Sequence, residues 1–135
     1  VRREPLGVRT QLLDGLLDLV VVNRNGGSEL WRNSGGEMGR FVQVRLVQDG
    51  PNRDAIGAWI EVRCGDHVMR REVTVGGGHV GGQLGWWHFG IAGHDPAEIR
   101  VLWPDGTEGA WQAVEADGFY IAARGKPVER WMPRS

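Results

Sequence analysis

A chain of 135 residues has room for one compact domain with a real core, but not for two full-sized ones. Its 41% hydrophobic and 24% charged residues exclude an intrinsically disordered chain. Sixteen basic residues against seventeen acidic ones, a net charge of -1, leave strong counterion-release binding to nucleic acid without a driving force. The anomaly is 22 glycines and 7 tryptophans, which favour turns and bulges of β architecture over helix. Cys64 stands alone, so neither an internal disulfide nor a cysteine zinc cluster is available, and an inert structural thiol is expected.

Residues 1–15 show no clear period. Leu16 to Val22 reads as a buried strand rich in β-branched residues; Asp18 interrupts it, and it is far shorter than the roughly 18–20 apolar residues of a membrane span. Asn23-Arg24-Asn25-Gly26-Gly27 is a turn, and Ser28 to Asn33 is the hairpin partner. Phe41 to Val47 alternates around Gln43 and Arg45, a strand with one wet face. Ala58, Ile60 and Val62 oppose Trp59, Glu61 and Arg63 in the next, and Gly65-Asp66 turns the chain into Val68 to Val75. After the glycine cluster from Gly76 to Gly82 come Trp87 to Ile91 and Glu98 to Trp103, the latter stopped by Pro104-Asp105-Gly106. Gly109 to Val114 and Gly118 to Ala123 supply two more strands. The expected fold is all-β, an antiparallel β-sandwich or barrel-like module with an N-terminal β-hairpin.

Two resemblances follow from particular residues. Asp14-Gly15-Leu16-Leu17-Asp18-Leu19-Val20-Val21 resembles the end of the calcium loop and the first strand of an FG-GAP (VCBS-type) repeat, and the hairpin after it matches the close of such a repeat. Aligned on Asp18, the first two acidic positions of that loop fall on Thr10 and Leu12. Asp14 and Asp18 are therefore the Ca²⁺ candidates, and two carboxylates fall short of the 6–8 oxygens Ca²⁺ takes. Four further segments resemble, in order, the ASPIC/UnbV domain found at the C-terminus of FG-GAP proteins. They are Asn52 to Ala58, Arg71-Glu72-Val73 running into Gly76-Gly77-Gly78, His88 to Ile91, and Val101 to Gly106. The expected organisation is a degenerate FG-GAP-like remnant over 1–36, an ASPIC/UnbV-like β domain over 37–125 and a tail over 126–135. The resemblance implies upstream FG-GAP repeats in the full-length protein, and relatives that include animal matrix proteins and bacterial proteins, some encoded with enediyne-antibiotic biosynthesis genes. It carries no catalytic residues. A chain that begins Val1-Arg2-Arg3, not with Met, reads as a piece of a longer protein; the compartment, extracellular or cytoplasmic, stays open.

No catalytic constellation is legible. Ser28, Ser34 and Ser135 lie outside any nucleophile elbow, the glycine cluster lacks the phosphate-loop pattern, and His67, His79, His88 and His94 show no metal-ligand spacing. His88, in the alternating strand Trp87-His88-Phe89, is expected to donate to a carbonyl. The candidate ligand-binding residues are His79, Trp86 and Trp87 in the glycine-rich loop region, with Asn52, Arg53 and Asp54 as a charged turn. Either the tryptophans form a platform or at least one packs in the core. The expected function is a non-catalytic binding or assembly module, needing no cofactor, for a protein, a glycan or a hydrophobic small molecule. The alternatives are an accessory protein of enediyne-type biosynthesis and a structural cap of an FG-GAP propeller.

Overall fold

A computed structural model describes residues 2–4, 16–35, 39–76, 82–83, 85–93 and 96–132. All of the regular structure among them is β: β1 (Arg2–Glu4), β2 (Leu19–Val21), β3 (Glu29–Arg32), β4 (Phe41–Val47), β5 (Trp59–Cys64), β6 (His67–Glu72), β7 (Trp87–Gly90), β8 (Ala97–Leu102), β9 (Gln112–Val114), β10 (Gly118–Ala123) and β11 (Glu129–Trp131). The chain divides into two compact units, Val1–Met38 and Gly39–Ser135.

The first unit is a three-stranded sheet in the order β1-β3-β2. β2 and β3 form the expected N-terminal hairpin, with Leu19 opposite Trp31. Asn23 closes the turn by donating from Nδ2 to the Gly27 carbonyl at 3.0 Å. The strand read as buried is not. Leu19 and Val20 project to opposite faces, and both are about 60% exposed. Leu17 and Val22 are exposed as well. The apolar run correctly marks a strand made for burial on two faces, but three strands alone do not supply the covering layers.

The second unit is a sandwich of two four-stranded sheets. The first sheet runs β11-β10-β4-β7 and the second runs β6-β5-β8-β9. Alternation explains the layers. β4 turns Val42, Val44 and Leu46 inward, β5 turns Ile60, Val62 and Cys64 inward, and β8 adds Ala97, Ile99 and Val101. These meet Trp87, Phe89, Tyr120 and Ala122 in one core. Burial pushes the Cys64 thiol pKa up, which leaves it protonated and inert. β5 and β6 pair through the two-residue loop Gly65-Asp66, with Gly65 at φ 57 where such a turn wants glycine first.

One pairing departs from an all-antiparallel expectation. β10 lies parallel to β4, with Gly118 beside Val42 and Ala123 beside Val47. Parallel neighbours need a long crossover, here the whole of the second sheet, so no local pattern announces it.

The segment from Asn52 to Ala58 is a tight double turn. Asn52 Oδ1 accepts the Ile56 N–H at 2.9 Å, and Asn52 Nδ2 donates back to the Ile56 carbonyl at 2.9 Å. Ala55 adopts φ 52 with its methyl fully buried, and Gly57 adopts φ 89. A side chain at Gly57 would meet nothing closer than Pro104 Cβ at 4.0 Å. Gly57 is therefore required for its left-handed backbone, as the first residue of a β-bulge: its N–H donates to the Val73 carbonyl at 2.8 Å while the Val73 N–H donates to the Ala58 carbonyl at 2.8 Å, so Gly57 and Ala58 together oppose Val73.

Gly118 is required for space. A Cβ there would sit 2.6 Å from the Tyr120 ring, whose hydroxyl donates to the Glu115 carbonyl at 2.8 Å. Gly118→Ala is expected to destabilise the domain by about 1–3 kcal/mol through overpacking. Urea denaturation checks this; an unchanged midpoint would show that Tyr120 moves aside freely.

Candidate functional site

The two outer faces of the sandwich are finished by different chemistry. On the second sheet, register places Glu61 between Arg70 of β6 and Arg100 of β8. Arg100 donates to Glu61 Oε2 from Nη2 at 2.6 Å and from Nε at 2.8 Å, while Arg70 Nε lies 3.8 Å from Oε1. This lets Glu61 sit almost fully buried, since a buried carboxylate needs its charge matched. Arg63 pairs with Glu98 directly opposite at 2.6 Å, and each holds the other in its charged form. Arginines also lie over the neighbouring rings: Arg63 and Arg100 over Trp111 at 4.4 and 4.7 Å, and Arg70 over Trp59 at 4.3 Å. The centre of this face is satisfied by its own neighbours.

The first sheet ends in bare rings. Phe41, His88, Phe119 and Trp131 project outward from its four strands, and Trp86 joins them from just before β7; all five are half-buried. Trp86 meets Phe119 at 5.3 Å and Trp131 at 5.2 Å, and Phe119 also meets Trp131 and Phe41, both at 5.9 Å. The imidazole of His88 stacks on Phe41 at 5.6 Å, only 12° from parallel. Most of these contacts are edge-to-face, so the rings hold one another in a rigid knot and offer no flat stacking platform. Burial, and then the positive charge of Arg71, lowers the His88 pKa below its ordinary value, which keeps the ring neutral and apolar. The expected His88-to-carbonyl bond is not there. Its Nδ1 is buried without a hydrogen-bond partner among the described residues.

Further along the same face, Arg45, Val47, Arg53 and Asp54 line a shallow recess of about 310 Å³. Neither guanidinium has an ion-pair partner among the described residues. The face therefore runs from a neutral aromatic end to a cationic end.

The sequence candidates are distributed unevenly over this geometry. Trp86 lies in the ring knot, but Trp87 is 6% exposed and packs in the core, because adjacent strand residues face opposite ways. Arg53 and Asp54 line the recess, whereas Asn52 spends its amide on the turn. His79, with Gly77 to Gly81, and His94 lie outside the described residues. Asp14 does also. Asp18 Oδ1 accepts the Asn33 N–H at 2.8 Å, closing the hairpin. Among the described residues no group of three or more His, Cys, Asp or Glu side chains converges to hold a metal ion, and no helix is long and apolar enough to cross a membrane. Phe41, Phe119, Trp131 and Arg45 are the residues that sequence reasoning missed. Alternation could have flagged Phe41 and Arg45 as outward, but nothing in the spacing joins positions 41, 86, 119 and 131.

The segment Trp103-Pro104-Asp105-Gly106 is a turn pinned from across the sandwich. Gly106 takes φ 85, the Trp103 N–H donates to the Thr107 carbonyl at 2.8 Å, and the Thr107 N–H donates to Asp105 Oδ1 at 3.0 Å. Arg124 pairs with the other Asp105 oxygen and lies over the Trp103 ring at 5.5 Å.

Fold and surface together define a two-sheet β module with one satisfied face and one aromatic face. The chain belongs to the ASPIC and UnbV family, whose model matches residues 48–127, from the Asn52 turn through the Asp105 turn to the end of β10 and just beyond. No curated protein and no solved structure matches the chain.

The Arg124 guanidinium, with the Thr107 N–H, holds the Asp105 carboxyl at about 2, below its ordinary 3.8. A folded value below the unfolded one means that Asp105 contributes stability above pH 3.8, lost as the pH falls through about 2. In urea midpoints measured across pH, Asp105→Asn is expected to be less stable than wild type near neutrality. The two curves should converge between those limits. A constant gap across the window would show that the ion pair does not act through ionisation.

Proposed function

We propose that this chain is a non-catalytic binding module that docks a partner protein on the outer face of its first sheet. The observation that supports the reading is the contrast between the two faces. The second sheet pairs most of its outward charges internally, through Arg100–Glu61 and Arg63–Glu98, while the first leaves five half-exposed rings beside two arginines without ion-pair partners among the described residues. Tryptophan and arginine dominate interface hot spots, and a rigid aromatic patch loses little entropy on binding. Small-molecule sites are concave, whereas the rings of this face are spread over four strands, roughly 14 Å across at about 4.8 Å per strand. A protein surface suits that shape better than a sugar ring, which would want a flat ring to stack on. Arg45 and Arg53 would meet acidic side chains at the rim.

A second reading concerns the first unit. The exposed Leu17, Leu19, Val20 and Val22 favour a neighbouring β layer over that hairpin in the full-length protein. This supports residues 1–36 as the last part of an FG-GAP-like repeat array, and the second unit as the module that follows it.

The test is a cross-linked pull-down from the source proteome using three proteins: wild type, Trp86→Ala/Trp131→Ala, and Trp111→Ala on the opposite face. Loss of one hot-spot tryptophan costs 2 kcal/mol or more, so the double variant should retain a protein partner at least about tenfold less well. Trp111→Ala should retain it fully. Equal recovery by the double variant would sink the proposal, and glycan-array binding in place of protein capture would reassign the partner.

A further inference from the structure

A second feature lies away from the aromatic face, along the edge where β8 and β9 of one sheet approach β10 and β11 of the other. A groove of about 320 Å³ opens there, walled by apolar side chains that include Val101 and Val128. This volume is at the small end of ligand pockets, enough for a body of about one ring.

Its polar groups are donors. Trp103 is only 8% exposed, and its indole N–H has no hydrogen-bond partner among the described residues. Gly109 stands beside it on the groove wall, where an added Cβ would press on the Val101 carbonyl at 3.2 Å and lie 4.0 Å from Trp103 Nε1. Gln112, also on the groove, accepts the Val128 N–H on Oε1 at 2.7 Å, and its amide NH₂ has no acceptor among the described residues. Lys126, the only lysine in the chain, lines the groove, and its ammonium has no ion-pair partner among the described residues. Arg100 at the border is already committed to Glu61 and Glu108. An indole N–H, an amide NH₂ and an ammonium around an apolar slot match one chemistry, an anionic acceptor joined to a compact apolar body.

We infer that this groove is a binding site for a monocarboxylate carrying a ring-sized apolar group, with the carboxylate held by Lys126, Trp103 and Gln112. The site does not depend on the docking face and uses none of its residues. Because the slot is open at one side, the carboxylate can come from a free small acid or from the C-terminal residue of a protein.

The indole N–H resonances of the full chain, ¹⁵N-labelled, provide the readout, with that of Trp103 assigned by Trp103→Phe. Phenylacetate is expected to shift the Trp103 signal saturably. A charged hydrogen bond is worth enough that Lys126→Gln should weaken binding by about tenfold, and phenylacetamide should bind the wild type about tenfold more weakly than the acid. Ala110→Trp, an exposed position on the groove wall, should block binding without disturbing the core. A Trp103 signal that does not saturate, equal binding of acid and amide, or unchanged affinity in Lys126→Gln would each overturn the assignment. A tetrapeptide ending in phenylalanine with a free carboxylate separates the sources. Tighter binding than phenylacetate assigns the site to a protein C-terminus, and weaker binding assigns it to a free acid; both retain the carboxylate chemistry.

Discussion

Strand β4 is the member on which the other features rest. It is the central partner of β7 and β10, and its seven residues alternate without a break between core and surface. Val42, Val44 and Leu46 hold the inner face, which obliges Phe41, Gln43, Arg45 and Val47 to form the outer one. The period of two leaves no freedom here. A one-residue slip against β10 or β7 would bury Arg45 and expose the valines, at a cost that far exceeds any local gain. The aromatic end and the cationic end of the outer face are thus consequences of packing the core.

The parallel pairing of β10 with β4 does the rest of the assembly. It brings Phe119 beside Gln43, and β11 then brings Trp131 beside Phe119. Rings more than 70 residues apart in sequence meet within 6 Å because the second sheet is inserted between β4 and β10 in the chain. The same insertion closes the sandwich around a single core. On the opposite face, ion pairs and arginine-over-tryptophan contacts satisfy Glu61, Arg63, Glu98 and Arg100 with their neighbours. A sandwich with two faces like the second would have nothing to offer a partner.

The segments that carry the family likeness explain the fold more than the function. In Asn52 to Ala58, the asparagine amide bonds twice to Ile56, Ala55 accepts a left-handed backbone so that its methyl can fill the core, and Gly57 supplies another positive φ. In Trp103 to Gly106, Asp105 and Gly106 shape the turn while Arg124 clamps it. These are requirements of backbone geometry, met by a few residue types. Most of the binding groups lie outside them, on strand faces and on the loop after β10, but His88 in the ring knot, Arg53 at the recess and Trp103 in the groove fall within them. Trp103 belongs both to the turn and to the donor-lined groove.

Much of this was legible in the amino-acid sequence. The β-class, most strand positions (β1 and β11 excepted), the inward set in β4 and β5 and the Gly65-Asp66 turn follow from local alternation and turn chemistry, which act over a few residues; the family was legible as a resemblance carried by four ordered segments. Of the two tryptophans read as candidates, Trp86 lies in the outer ring cluster and Trp87 in the core. Their separation follows from the pleat, once the strand's limits are known. What only the tertiary structure decided is long-range: the parallel crossover, the meeting of Phe41, Trp86, Phe119 and Trp131, and the convergence of Trp103, Gln112 and Lys126 on one groove. Alternation specifies which face a residue takes, and the pairing of distant strands specifies which residues share that face.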